Sequence, residues 1–215
     1  MVNIKICGLR TPEDIQAVNE ARPDYIGFVF APGKRQVTAS QAAAMREQLA
    51  PGIQAVGVFV NESVDRILSL VETGVIDMIQ LHGDEPEQMI LELKARTQAP
   101  VIRAVRVRTA DDIYRALSVT SDYLLFDTYT KDAYGGSGQT FDWSCIPPME
   151  RPYFLAGGLS PDNIIQAARA SAFCLDISSG VETDGRKDPD KIRRVVETIR
   201  TYNRNTNQTL FKNPS

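Results

Sequence analysis

Short apolar, β-branched runs recur along this chain at regular intervals, each followed by a longer amphipathic stretch. That alternation narrows the possible folds more than any other feature of the sequence. The runs are Val2 to Cys7, Tyr25 to Phe30, Ala55 to Val60, Met78 to His82, Val101 to Val105, Tyr123 to Asp127, Tyr153 to Ala156 and Phe173 to Ser178. Their length and composition read as strands. The stretches between them open on helix-starting chemistry. Thr11-Pro12 and Ser160-Pro161 each put a capping hydroxyl before a proline at the first helical position. Asn61, Thr109 and Asp188-Pro189 read as further caps, and Thr38 or Ser40 opens the second helix. In the last helix, Asp188 to Tyr202, Ile192, Val195, Val196 and Ile199 fall at helical spacing. The sixth interval is the weak one: Asp142 to Met149 is short and holds Pro147-Pro148.

Strict alternation of strand and helix implies a parallel sheet. Eight such units in one chain predict an α/β protein built as a single (β/α)8 TIM barrel, with a short or irregular sixth helix. Such barrels start at roughly 200 residues, so a chain of 215 leaves little room for anything else. The barrel is expected over residues 1–204. The polar, aperiodic tail 205–215 is expected to be disordered.

Charge excludes some functions. Lys and Arg number 24 against 27 Asp and Glu, a net charge of -3, without the basic excess that a nucleic-acid partner needs. No apolar run approaches the roughly 18 residues of a membrane span, and Met1 to Cys7 lacks the features of a signal peptide. Cys7, Cys145 and Cys174 are odd in number and in no CxxC spacing, which argues against both a disulfide framework and a zinc site. These features predict a cytoplasmic protein with reduced thiols and no membrane partner. No element shows a second apolar face, so a monomer is expected.

In a (β/α)8 barrel the chemistry sits at the C-terminal ends of the strands. The reactive side chains there are Cys7, His82, Asp127 and Ser178, with Arg35 just beyond the second strand. Side chains two apart on a strand share a face. Val2, Ile4 and Ile6 should therefore face the helices, and Asn3, Lys5 and Cys7 the interior. Cys174, Asp176 and Ser178 share a face on the eighth strand, the neighbour of the first in a closed barrel. Lys5 and Asp176 are thus expected to form a buried ion pair below the site. Gly157-Gly158 follows the seventh strand and Ser178-Ser179-Gly180 the eighth. Glycines there let backbone N–H groups approach an anion, in the two loops where these barrels bind phosphate. The Gly-rich stretch within 128–141 is a candidate lid. On position alone, Cys7 fits a packing thiol as well as a base, and Asp127 a loop anchor as well as an acid. His82, the one histidine, reads as a hydrogen-bonding loop residue, and Cys145 and Cys174 as packing thiols.

Several ordered motifs go further. Lys5-Ile6-Cys7-Gly8-Leu9, Gly27-Phe28-Val29-Phe30, Val58-Phe59-Val60-Asn61, Gln80-Leu81-His82-Gly83, Phe126-Asp127-Thr128, Gly135-Gly136-Ser137-Gly138, Gly157-Gly158-Leu159 and Asp176-Ile177-Ser178-Ser179-Gly180 span nearly the whole chain. Together they resemble the phosphoribosylanthranilate isomerase family. The resemblance implies an Amadori rearrangement of a phosphoribosyl-anthranilate, with Cys7 as general base and Asp127 as general acid. It implies that Arg35 binds the anthranilate carboxylate, with Lys34 as the alternative because Ala31 to Arg35 is one residue shorter than the family's form. Arg10 stands where the family commonly has Thr, either adjoining the site or pointing to solvent. The substrate-binding set is then Arg35, His82, Gly157, Gly158, Ser178, Ser179 and Gly180. No cofactor or metal is implied, because the substrate's own nitrogen is the electron sink. A thiolate at Cys7 needs its pKa lowered, and Lys5 supplies a positive charge. The competing readings are another phosphate-binding barrel enzyme and a barrel that binds a phosphoribosyl ligand without chemistry.

Overall fold

The computed structural model describes residues 1–128 and 140–212. Eight parallel strands close into a barrel in sequence order. They are β1 (Asn3–Cys7), β2 (Tyr25–Val29), β3 (Gln54–Phe59), β4 (Met78–Leu81), β5 (Val101–Val107), β6 (Tyr123–Thr128), β7 (Tyr153–Leu155) and β8 (Cys174–Ile177). Closure is made by β1 against β8, in a register that sets Lys5 directly opposite Asp176. Outside the strands run α1 (Pro12–Ala21), α2 (Ala39–Gln48), α3 (Val64–Glu72), α4 (Glu87–Arg96), α5 (Ala110–Ala116), α6 (Ile164–Ala168) and α7 (Pro189–Lys212). Among the described residues, the interval after β6 carries a single 3-10 turn, Trp143–Cys145, in keeping with its prolines. A small hairpin, β9 (Glu182–Thr183) with β10 (Arg186–Lys187), rises from the loop after β8.

Local chemistry explains most helix starts. Thr11 accepts a hydrogen bond from the Asp14 amide while Asp14 accepts from the amides of Arg10 and Thr11. Such a capping box contributes about 1 kcal/mol. Thr38 with Gln41 and Thr109 with Asp112 repeat it. Asp188 caps α7 by accepting from the amides of Asp190 and Lys191. Two expected caps differ. Asn61 lies in the left-handed region at φ 51° and turns its side chain to the Asp84 amide, so Ser63 takes the N-cap position of α3. Ser160-Pro161 forms a turn and α6 begins only at Ile164. Asn163 folds its amide back onto Ser160 N and Gly158 O and occupies what would have been the first turn. At the other end, α7 continues to Lys212, beyond the expected boundary at Arg204; no glycine or proline interrupts the chain until Pro214.

Two apolar layers hold this arrangement. The larger lies between strands and helices and includes Ile4, Ile6, Phe28, Phe126, Ile192 and Ile199, all fully buried. The smaller fills the barrel interior with Val56, Met78, Ile102, Ala104, Leu125, Phe154, Ala156 and Cys174. The rings of Tyr25, Tyr123 and Phe173 surround Phe154 with centroids 5.5 to 5.7 Å away and plug the barrel below the site. Truncating so central a ring would cost about 3–5 kcal/mol. This plug leaves one end of the interior for polar groups.

Candidate active site

The C-terminal ends of the strands surround a cavity of about 800 Å³. Cys7, Lys34, Arg35, His82, Asp127, Gly157, Gly158, Ser178 and Ser179 all line it. Val29, Ala31, Pro32, Val58 and Val60 give its β2–β3 side an apolar wall suited to an aromatic ring.

Below the cavity, Lys5 is fully buried. Its ammonium donates to Asp176 Oδ2 at 2.8 Å and to Gln80 Oε1 at 2.5 Å. The ion pair expected from strand alternation is therefore present. Burial opposes the charge on Lys5 and is the largest single effect, but the attraction and hydrogen bond of Asp176 together with the neighbouring Cys7 and Cys174 leave the lysine pKa raised. Asp176 Oδ1 is buried without a hydrogen-bond partner among the described residues, and the residue lines the cavity.

Cys7 ends β1 above this pair and is buried. A Cβ on Gly27 would stand 2.6 Å from its sulfur, so glycine at that position makes room for the thiol. Burial pushes the Cys7 pKa up, and Lys5 pulls it down by less. The sequence suggested a net lowering by Lys5. The structure corrects this: Lys5 acts in the expected direction, but the dry floor of the site is the larger effect.

Asp127, one residue before the end of β6, is buried. Its Oδ2 lies 3.2 Å from His82 Nε2, and His82 Nδ1 lies 2.8 Å from the Gln80 amide nitrogen. His82, the first residue after β4, is a hydrogen-bonding loop residue as expected, and its two bonds join the ends of β4 and β6. The role of Gln80 escaped the sequence reading, although its spacing two before His82 on one strand was a usable signal.

Arg35 is held from an unexpected direction. Its Nε and Nη2 donate to the two carboxylate oxygens of Glu182 at 2.7 and 2.8 Å. Lys187 Nζ donates to Glu182 Oε1 and to the Ser178 carbonyl. Burial would raise the Glu182 pKa, but Arg35 and Lys187 bring it down to about 2. Gly8, at φ 83°, lets Arg35 cross the site: a Cβ there would meet Arg35 Cδ at 2.5 Å. Arg10 neither enters the cavity nor points freely to solvent. Its guanidinium donates to the carbonyls of Lys34 and Gly185, tying the loop that carries Arg35 to the hairpin that carries Glu182 and Lys187. Nothing in sequence spacing joins these groups.

On the β7–β8 side, Gly157 and Gly158 both have left-handed backbone, at φ 85° and 66°. A Cβ on Gly157 would stand 2.3 Å from Thr128 Oγ1 and 2.9 Å from Asp127 Oδ1. Ser178 lines the cavity, yet its hydroxyl donates to the Cys7 carbonyl. Gly180 does not line it; Gly180 packs against the Leu159 carbonyl, where a Cβ would come within 1.8 Å, and so seats the two loops together. Cys174 packs in the barrel interior and Cys145 is half-buried beside the core. The lid expected within 128–141 falls largely on residues 129–139, outside the described residues. Among the described residues, no group of three or more His, Cys, Asp or Glu could hold a metal ion.

The family model for N-(5'-phosphoribosyl)anthranilate isomerase matches residues 4–198. The isomerase of Endomicrobium trichonymphae is 49% identical over 202 residues, covering 94% of this chain and 100% of that protein. A crystal structure of a phosphoribosyl anthranilate isomerase in complex with reduced 1-(o-carboxyphenylamino)-1-deoxyribulose 5-phosphate has a TM-score of 0.82 at 36% identity, covering 94% and 100%. A structure of monomers generated from the dimeric Thermotoga maritima enzyme has the same identity, score and coverage.

Proposed function

The chain belongs to the N-(5'-phosphoribosyl)anthranilate isomerase family, and from that premise we propose how its residues carry the family's reaction. It converts N-(5'-phosphoribosyl)anthranilate to 1-(o-carboxyphenylamino)-1-deoxyribulose 5-phosphate in tryptophan biosynthesis. Asp127 acts as general acid. Its carboxyl proton passes to the furanose ring oxygen as the anomeric C–O bond breaks and the anilino nitrogen forms an iminium. Cys7 acts as general base. Its thiolate takes the C2 proton of that iminium, and the C–H electron pair moves into a C1–C2 enamine. Proton return to C1 and loss of the enol proton complete an isomerisation with no net gain or loss of atoms.

The observation that carries this reading is that Cys7 and Asp127 share one cavity with an apolar wall. The β7 loop lines it beside Asp127, and Arg35 lines it where the loops after β2 and β8 adjoin. The phosphate belongs with Gly157, Gly158 and Ser179, where glycine backbone and small side chains let amides approach an anion. The anthranilate ring belongs against Val58, Val60 and Pro32, with its carboxylate toward Arg35. Glu182 orients that guanidinium and leaves it further N–H donors. Ser178 and Gly180 support the loops.

Phosphoribosylanthranilate made in situ loses its fluorescence on isomerisation. Added wild-type protein should accelerate that loss; a folded protein that leaves it unchanged defeats the reading. No helix among the described residues is long and apolar enough to cross a membrane. The reduced cytoplasm fits the need of Cys7 for a free thiol. A monomer fits the scatter of the exposed large apolar side chains among the described residues, Met1 at the N-terminus and Leu91, Tyr114, Leu117 and Ile165 over α4 to α6 and their ends. Light scattering after gel filtration tests the oligomeric state.

A further inference from the structure

We infer that Gln80 sets the ring tautomer of His82 and thereby decides which oxygen of Asp127 delivers the proton. This rests on Asp127 being the general acid. The ammonium of Lys5 has donors and no acceptor. The Gln80 atom 2.5 Å from Lys5 Nζ must therefore be the carbonyl oxygen, and the amide cannot be turned over. Its NH2 group is then fixed 2.8 Å from His82 Nδ1. Facing a donor, Nδ1 can only accept, so it carries no proton. In a neutral imidazole the proton then sits on Nε2, because the bond made by one ring nitrogen settles the state of the other. Nε2–H donates to Asp127 Oδ2 at 3.2 Å.

With Oδ2 facing an N–H, the carboxyl proton of Asp127 is held on Oδ1. That oxygen looks toward Gly157, whose missing Cβ would lie 2.9 Å from it. The acid therefore delivers from the β7 side of the cavity, beside the loop assigned to the phosphate. The furanose oxygen, bonded to the ring carbon that carries the phosphorylated CH2 group, is brought to that side. If Nδ1 were protonated instead and Nε2 bare, Asp127 would have to spend its proton on His82. Gln80 is a positioning residue in this scheme and touches neither reacting atom.

The chain has one histidine, so a [15N]histidine-labelled sample reports His82 alone. At neutral pH the wild-type ring should show a protonated Nε2 and a bare Nδ1. An Nδ1–H ring, or an imidazolium, overturns the inference without recourse to any variant. In Gln80→Glu a carboxylate faces Nδ1, and the ring should acquire a proton there. kcat should then fall by about tenfold or more, with KM changed by less than about threefold. Gln80→Met, which removes the donor at similar volume, should give a mixed tautomer and an intermediate kcat. In a His82→Gln background, Gln80→Glu should cost nothing further. A second, equal loss there means that Gln80 acts through Lys5 instead, and overturns the inference. Full turnover by Asp127→Asn alongside the expected wild-type tautomer would remove the acid assignment instead, so the two failures are distinguishable.

Discussion

Replacing Lys5 by Met keeps the volume of a fully buried side chain and removes its charge. Asp176, whose Oδ2 it bonds at 2.8 Å, is then left in the barrel floor with both carboxylate oxygens unpaired, since Oδ1 already has no partner. Breaking a buried pair from one side costs about 3–5 kcal/mol. At about 2–4 °C per kcal/mol for a domain of this size, the melting temperature should fall by about 6–20 °C. Most of that is the penalty of the stranded carboxylate, not the worth of the pair. Lys5→Met/Asp176→Leu should therefore recover most of the loss, to within about 1–3 kcal/mol of wild type, the remainder being the Gln80 carbonyl left without Lys5. Urea unfolding of the three proteins measures both numbers. A loss below about 1 kcal/mol in Lys5→Met, or a double variant less stable than the single, would refute the reasoning.

Three further outcomes follow from the site. Because burial holds the Cys7 thiol above its ordinary pKa, the thiolate fraction grows with pH, and kcat/KM should climb from neutral pH toward about 9; a flat profile there contradicts a Cys7 base. Glu182 has its pKa depressed from 4.5 to about 2, so the stability it confers is complete above the unfolded value and is lost as pH falls toward the folded one. Glu182→Gln should lack that part of the acid-side decline, and parallel acid-unfolding curves for the two proteins would count against the Arg35–Glu182–Lys187 cluster. Arg35→Ala should raise KM by about tenfold or more with little change in kcat; an unchanged KM would move the carboxylate contact to Lys34.

Features governed by local rules were readable from the sequence. β-branched runs located all eight strands to within a residue or two, and the period of two along β1 and β8 placed Lys5 opposite Asp176. Cys7, Asp127, Arg35 and His82 stood out because strand ends in this fold converge on one cavity. What the sequence hid depends on closure. Arg35 and Glu182 are 147 residues apart and meet only because the β2 and β8 loops adjoin around the rim. Arg10 bridges Lys34 and Gly185 for the same reason. Lys5 was visible as a charge near Cys7, but the opposing cost of burial could not be weighed until the depth of the thiol was known. Asn61 does not cap because its side chain is taken by the distant Asp84 amide, and Ser160 does not because the nearby Asn163 side chain folds back onto its amide.

The central claim is that Cys7 takes the C2 proton, and Cys7→Ala tests it most directly. Turnover of phosphoribosylanthranilate generated in situ and the affinity for the reduced product analogue should be measured on the same folded sample. Turnover should be lower by about 10²–10⁴-fold, the contribution of a positioned base, with affinity for the analogue nearly unchanged. Turnover within a few-fold of wild type would contradict the claim.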